Sequence, residues 1–240
     1  MYEERTYRDW VKDDDLVGFQ ALVKETDLFI KAERDLSLKA IDSINEIRDQ
    51  IEEYVAKDPK FQTTLEPYHV NGNSPSIIKD MSRASSLVGV GPFASVAGAI
   101  SEYVGRDLLK HSKDIIIENG GDVFVKSSKN RLIGIFAGSS TFSKKIGLEI
   151  KAKDTPIGIC TSSGTIGHSL SFGKADAVAV LSKSTLLADA AATKIGNLIK
   201  TKEDIPQGIK FAKKVEGIKG VVIIKDDKMG VWGDVSIRRI

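Results

Sequence analysis

The chain has 240 residues, 41% hydrophobic and 28% charged, the balance of a folded globular protein and not of a disordered one. Its 35 basic and 33 acidic residues leave a net charge of +2, and no basic run is interleaved with aromatics, which argues against nucleic-acid and anionic-membrane partners. A single cysteine, Cys160, excludes an intrachain disulfide and a multi-cysteine metal centre, and apolar runs such as "VAGAI" and "AVAVL" are too short to span a bilayer.

The opening residues, "MYEERTYRDW", are charged from the third position and lack the apolar stretch of a secretory leader. With the lone thiol, this makes a cytoplasmic protein the expectation. "VGFQALV" and "DLFIKAE" alternate on either side of "KETD", which predicts a hairpin. The period then changes: Leu38, Ile41, Ile44, Ile47, Ile51, Tyr54 and Val55 recur at three- and four-residue steps. That spacing predicts an amphipathic helix over about residues 36–56, with Asp35 as its N-cap. "KDP" closes it, and Pro59 is suited to opening a short helix.

Residues 66–75, "EPYHVNGNSP", read as a loop. A helix is expected from Ser76 to about Leu87. Another follows "GVGP", with Pro92 in its first turn and Phe93, Val96, Ala97, Ile100 and Val104 along its inner face. Next comes a run of short strands: "DIIIE", "DVFV", "RLIGIFAG", "KIGLEI", "IGICT" and "AVAVLS". The small-residue stretch "LLADAAATKIGN" predicts a helix, and a short helix follows near 205–215. The chain ends in a hairpin of "GVVIIK" and "GVWGDVSI" around "DDKM". Strands in runs, few of them separated by one helix, predict an α+β fold with mixed or antiparallel sheets and packed helices. With no repeat and no linker, residues 1–240 are expected to form a single domain.

Three segments set glycines and small residues beside isolated polar groups. "GVGPFASVAG", residues 89–98, leads a glycine-bracketed turn into a helix, a favourable place for phosphate, and equally a tight turn with close packing. "IIIENGGDVFV", residues 115–125, puts two glycines between strands, where Glu118, Asn119 and Asp122 ring a turn open to a ligand or simply a hairpin. "GICTSSGTIGHSLSFGKAD", residues 158–176, is dense in hydroxyls and suits a loop around a polar ligand. Its His168 could serve as a general base or be an ordinary loop histidine. His69 and His111 have no clustered partners, so a histidine zinc site is not expected.

Asp189 and Thr193 lie four apart on one helix face. Both offer oxygen, which suits Mg²⁺. On spacing alone a plainer account prevails: Asp189 caps or salt-bridges, and Thr193 bonds the Asp189 carbonyl.

In order, "GPFASVAGAISEYVG", "ENGGDVFV", "GICTSSGTIGHSLSFGKADAVAVLS" and "LADAAATKIGN" resemble the ApbE-like superfamily, in particular an archaeal and bacterial branch of it. Its characterised members are Mg²⁺-dependent FAD:protein FMN transferases. The resemblance implies that Asp189 and Thr193 hold the metal. It also implies that Asn119, Gly120, Gly121, Asp122, Thr161, Ser162, Ser163 and Gly164 hold the flavin nucleotide, and that His168 assists phosphoryl transfer. FAD, as substrate or ligand, and Mg²⁺ are the implied cofactors, with a protein Thr or Ser as acceptor. Two motifs depart from the transferases. His168 continues as "HSLSFGKAD" where they have His-x-x-Asp-Pro-x-Thr-Gly, and "GPFASVAG" lacks their Lys-Gly pair. Hydrolysis of FAD or another nucleotide, and a non-catalytic flavin- or nucleotide-binding module or partner subunit, stand as the alternatives. A homodimer is compatible with the surface pattern, which does not select one.

Overall fold

The computed structural model describes residues 15–138, 140–143, 145–164 and 172–240. Two antiparallel sheets carry the strands. Eight strands form the larger: β1 (Val17–Val23), β2 (Thr26–Ala32), β3 (Ile115–Asn119), β4 (Asp122–Lys126), β7 (Ile157–Ser162), β8 (Ala177–Ser182), β9 (Ile218–Lys225) and β10 (Lys228–Gly233), neighbours in that order. The smaller sheet has β5 (Arg131–Gly134), β6 (Ile146–Ile150) and β11 (Ile237–Arg239), with β6 in the middle. The helices are α1 (Ser37–Lys57), α2 (Lys60–Thr63), α3 (Ser76–Val88), α4 (Val96–Leu108), α5 (Thr185–Leu198) and α6 (Ile205–Ala212). This is the expected α+β fold.

Successive side chains of a strand point to opposite faces, and here both faces of the central strands are covered. Ile117, Phe124, Val178, Val180, Val221 and Ile223 pack under the helices, against Ile44, Met81, Val104 and Ile195. Their neighbours Ile116, Val123, Val125, Ala179, Leu181 and Val222 pack against Leu148 and Ile150 of the smaller sheet. "IIIE" and "AVAVL" are therefore unbroken apolar runs, as strands buried on both sides require. Helix α5 is enclosed as well: it lies on β7 and β8 and meets α3, α4 and α6. Its alanines permit that, since Ala188, Ala190, Ala191 and Ala192 are all buried. No single helix among the described residues is long and apolar enough to cross a membrane.

Several expectations shift by a turn or less. Asp35 does accept a first-turn amide, that of Ser37 at 2.8 Å, although the cap position itself falls on Leu36. Pro92 opens a 3₁₀ turn, Pro92–Ser95, and α4 begins only at Val96. The inner face of α4 runs through Gly98, Ile100, Ser101, Val104, Gly105 and Leu108, leaving Phe93, Val96 and Ala97 half-buried. The change from 3₁₀ to α geometry resets the angular register there. The C-terminal "GVWGDVSI" is not one strand. The hairpin turn is Asp226-Asp227, β10 stops at Gly233 with φ of 89°, and the chain crosses to the smaller sheet as β11.

Candidate functional site

The hairpin of β3 and β4 turns on Gly120 and Gly121, at φ of 65° and 108°, a conformation that only glycine adopts freely. The Gly121 amide donates to Glu118 Oε1 at 2.9 Å. Asn119 Nδ2 donates to the Ala97 carbonyl at 3.0 Å, fixing the turn against the start of α4. Asp122 follows, buried, and faces Cys160 of β7 in the strand register. The Thr161 amide donates to the Gly121 carbonyl at 3.2 Å, and the Cys160 thiol lies beside the Asp122 carboxyl. That thiol donates to the Thr185 carbonyl at 3.3 Å.

Helices α4 and α5 cap each other. The Asp189 carboxylate accepts the Gly98 amide at 2.9 Å and the Ala97 amide, two of the donors that the first turn of α4 leaves unpaired. In return, Glu102 Oε2 of α4 accepts the first amide of α5, Thr185, at 2.5 Å, and Ser184 Oγ accepts from Leu187 at 3.3 Å. The contact is close enough to require glycine: a Cβ on Gly98 would lie 2.5 Å from the Thr185 carbonyl oxygen and 2.8 Å from Asp189 Cβ.

Asp122 and Asp189 are thereby brought into electrostatic contact. Burial, with the Glu118 charge adding to it, pushes Asp122 up to about 7. Burial and the Asp122 charge push Asp189 well above the usual carboxylate range. Burial and the same two carboxyls push the Cys160 thiol up, so it is not a nucleophile in this state. Among the described residues no basic side chain forms an ion pair with either aspartate. Two like-charged acids without a cation between them favour a shared proton or a bound metal.

The structure gathers Asn119, Gly121, Asp122, Thr161 and Asp189 around the start of α4. Thr193 lies one turn beyond Asp189 on α5, half-buried, and makes no hydrogen bond to the Asp189 carbonyl among the described residues. The plainer account is thus half right: Asp189 is a cap, while Thr193 keeps its hydroxyl available. Gly120 forms the exposed tip of the turn, and Ser162 Oγ lies beside Gly196 of α5. Ser163 and Gly164 lead away from the strand, with the Gly164 amide on the Ala175 carbonyl at 2.9 Å. His168 lies outside the described residues. At the start of α4 the close-packing alternative is the one seen, with Asp189 holding the Gly98 amide. Sequence reasoning missed Cys160 and that amide, which enter through strand register and helix crossing. Glu118 was legible beside the glycine pair.

Residues 8–227 match the protein family described as AbpE bacteria. A UPF0280 protein of Methanosarcina acetivorans is 39% identical over 216 residues, covering 89% of this chain and 85% of its own. A UPF0280 protein of Methanothrix thermoacetophila is 43% identical over 200 residues, covering 82% of this chain and 84% of its own. The fold is that of the flavin transferase ApbE from Vibrio cholerae, with a TM-score of 0.60 at 15% identity, over 94% of this chain and 97% of that one. Pseudomonas stutzeri flavinyl transferase ApbE aligns with a TM-score of 0.58 at 13% identity, over 92% of this chain and 94% of that one.

Proposed function

This chain belongs to the AbpE bacteria family, and we propose that it binds FAD with Mg²⁺ and transfers the FMN half to the hydroxyl of a protein Thr or Ser. The observation that carries this reading is the pair of buried carboxyls, Asp122 and Asp189, with raised proton affinity and no basic partner among the described residues. Carboxyls in that state exchange a proton for a divalent cation readily.

The donor set suits the ion. Asp189 and Thr193 present oxygens one turn apart on α5, with Asp122 in electrostatic reach. Mg²⁺ takes one or two carboxylates and completes its shell with water and substrate phosphate. Among the described residues no group of three or more His, Cys, Asp or Glu is placed to hold a metal ion by itself, so most of the shell would come from water and substrate phosphate. The metal would supply neutralisation of the pyrophosphate charge.

The chain's own residues bind and orient. The Gly120-Gly121 turn lets the nucleotide approach the backbone, and Asn119 holds that turn on α4. The hydroxyls of Thr161, Ser162 and Ser163, with Gly164, receive the flavin phosphate at the end of β7. The acceptor oxygen attacks the phosphorus nearer riboflavin, and His168 takes the hydroxyl proton. The phosphorus–oxygen bond toward the second phosphate breaks, and AMP leaves.

Incubating the purified protein with FAD, Mg²⁺ and a candidate acceptor tests this, following bound flavin, AMP and acceptor mass. Transfer gives Mg²⁺-dependent AMP and a labelled acceptor. AMP without labelling supports hydrolysis, and bound FAD without turnover supports a binding module. Absence of flavin binding overturns the reading.

A further inference from the structure

Away from the acid pair, a cleft of about 440 Å³ opens between the outer face of α3 and the loop that precedes it. Lys79 and Arg83 stand one turn apart on that face and both line it. Like charges at this spacing repel and weaken a helix. Neither has a carboxylate partner among the described residues, and Lys79 reaches only the Gly72 carbonyl, at 3.3 Å. Asp80, the acid beside them in sequence, is engaged instead by the Tyr103 hydroxyl, which donates to it at 2.8 Å.

The next turn brings Ser86 to the cleft, its Oγ closed off from solvent and without a hydrogen-bond partner. The opposite lip, at His69 and Val70, is held in place from beneath. Ser82 Oγ donates to the Tyr68 carbonyl at 2.5 Å, and the Tyr68 hydroxyl donates to Asp58 at 3.0 Å. Leu87 adds an apolar wall and is 55% exposed. Among the described residues the cleft thus sets two cations without a carboxylate partner beside an exposed leucine, a pairing of charge and apolar surface that suits an amphipathic anion.

We propose that this cleft binds a phosphomonoester with an apolar body. The phosphate lies between Arg83 and Lys79, while the body covers Val70 and Leu87. The guanidinium fork matches two phosphate oxygens and the ammonium a third, and the volume is that of a small-molecule site. The inference stands apart from the proposed flavin chemistry, since its residues are basic where the acid pair is not and none is shared.

Calorimetric titration of the protein with phenyl phosphate, inorganic phosphate and benzoate, in EDTA, tests it. Phenyl phosphate is expected to bind saturably at one site, about tenfold or more tighter than inorganic phosphate. Lys79→Gln and Arg83→Gln each weaken it about tenfold or more while keeping the parental melting temperature. Asp189→Asn leaves it unchanged. Absence of saturable binding, full affinity in Arg83→Gln, or a loss in Asp189→Asn overturns the proposal. Benzoate binding as tightly as phenyl phosphate overturns the choice of phosphate.

Discussion

Two regions of this protein bury carboxylates, and they do so in opposite ways. Where β5 meets the main sheet, Arg131 is 3% exposed and its fork is fully used. It donates to Asp15 at 2.7 and 3.0 Å, to Asp114 at 3.0 Å and to Ser127 Oγ at 2.7 Å. Burial raises Asp114, but hydrogen bonds from Ser128, Ser127 and Arg131 outweigh that and hold it below the ordinary range. At the crossing of α4 and α5, Asp122 and Asp189 have no basic partner among the described residues, and both shift the other way. The first cluster is complete without anything from outside. The second needs a proton or a metal to balance its charge, and the proposed function rests on that difference.

The sharpest way to break the comparison is Arg131→Met. It strands Asp114 without its charge partner, and the expected loss is about 3–5 kcal/mol in urea unfolding. The Mg²⁺ response of the surviving folded protein should not change. A loss under about 1 kcal/mol would mean that the paired cluster is not holding the sheets together.

The next effect belongs to the acid pair. Mg²⁺ at a hundredfold excess over its dissociation constant is expected to stabilise the parent by about 2.7 kcal/mol. In Asp189→Asn that gain vanishes, while the metal-free variant stays within about 1 kcal/mol of the parent, because relief of like charge offsets a weakened cap. An unchanged Mg²⁺ shift in the variant removes Asp189 from the metal.

Gly98→Ala probes how the pair is held. A methyl there meets the Thr185 carbonyl oxygen at 2.5 Å, and a backbone atom inside a packed helix pair cannot yield. Overpacking of about 1–3 kcal/mol therefore outweighs the gain of about 1 kcal/mol in helix propensity. The Mg²⁺ response should fall with stability, since the methyl also presses on Asp189. Equal stability and full Mg²⁺ response would show that the helices are free to part.

How far the sequence speaks follows the same division. Elements whose pattern is local were legible: β1 matches "VGFQALV" residue for residue, and the three- and four-residue steps mark α1, although Leu38, the first of them, is exposed. The Asn119-Gly120-Gly121-Asp122 turn is equally local. The break of "GVWGDVSI" at Gly233 was not legible, because only the smaller sheet gives β11 its partner. In the site, Asp189 and Thr193 could be paired from helix spacing. That Asp189 caps α4, and that Asp122 lies opposite Cys160, depend on contacts between segments 91 and 38 residues apart. No window along the chain contains both partners. For that reason the sequence left phosphate and close packing as equal readings of the start of α4.

The smallest effect is the most specific to the unpaired region. Asp122 goes from an ordinary 3.8 to about 7 on folding. Between those values the folded protein keeps a proton that the unfolded chain has released, so this contribution is full below the lower value and lost as pH rises through the upper. Asp189 moves in the same direction. The groups held low by ion pairs, Asp114 and Glu52 among them, lose their contributions only as pH falls below the ordinary carboxylate range, outside this window. Metal-free protein should therefore lose about 1 kcal/mol of unfolding free energy between pH 6 and pH 7. Asp122→Asn, which removes one of the two raised carboxyls, should reduce that slope, and saturating Mg²⁺ should flatten it in the parent by taking the protons' place. The paired cluster predicts the reverse of both: Arg131→Met leaves the slope between pH 6 and pH 7 intact. A parent whose stability rises over that interval would mean that Asp122 is already neutralised by a group close to it.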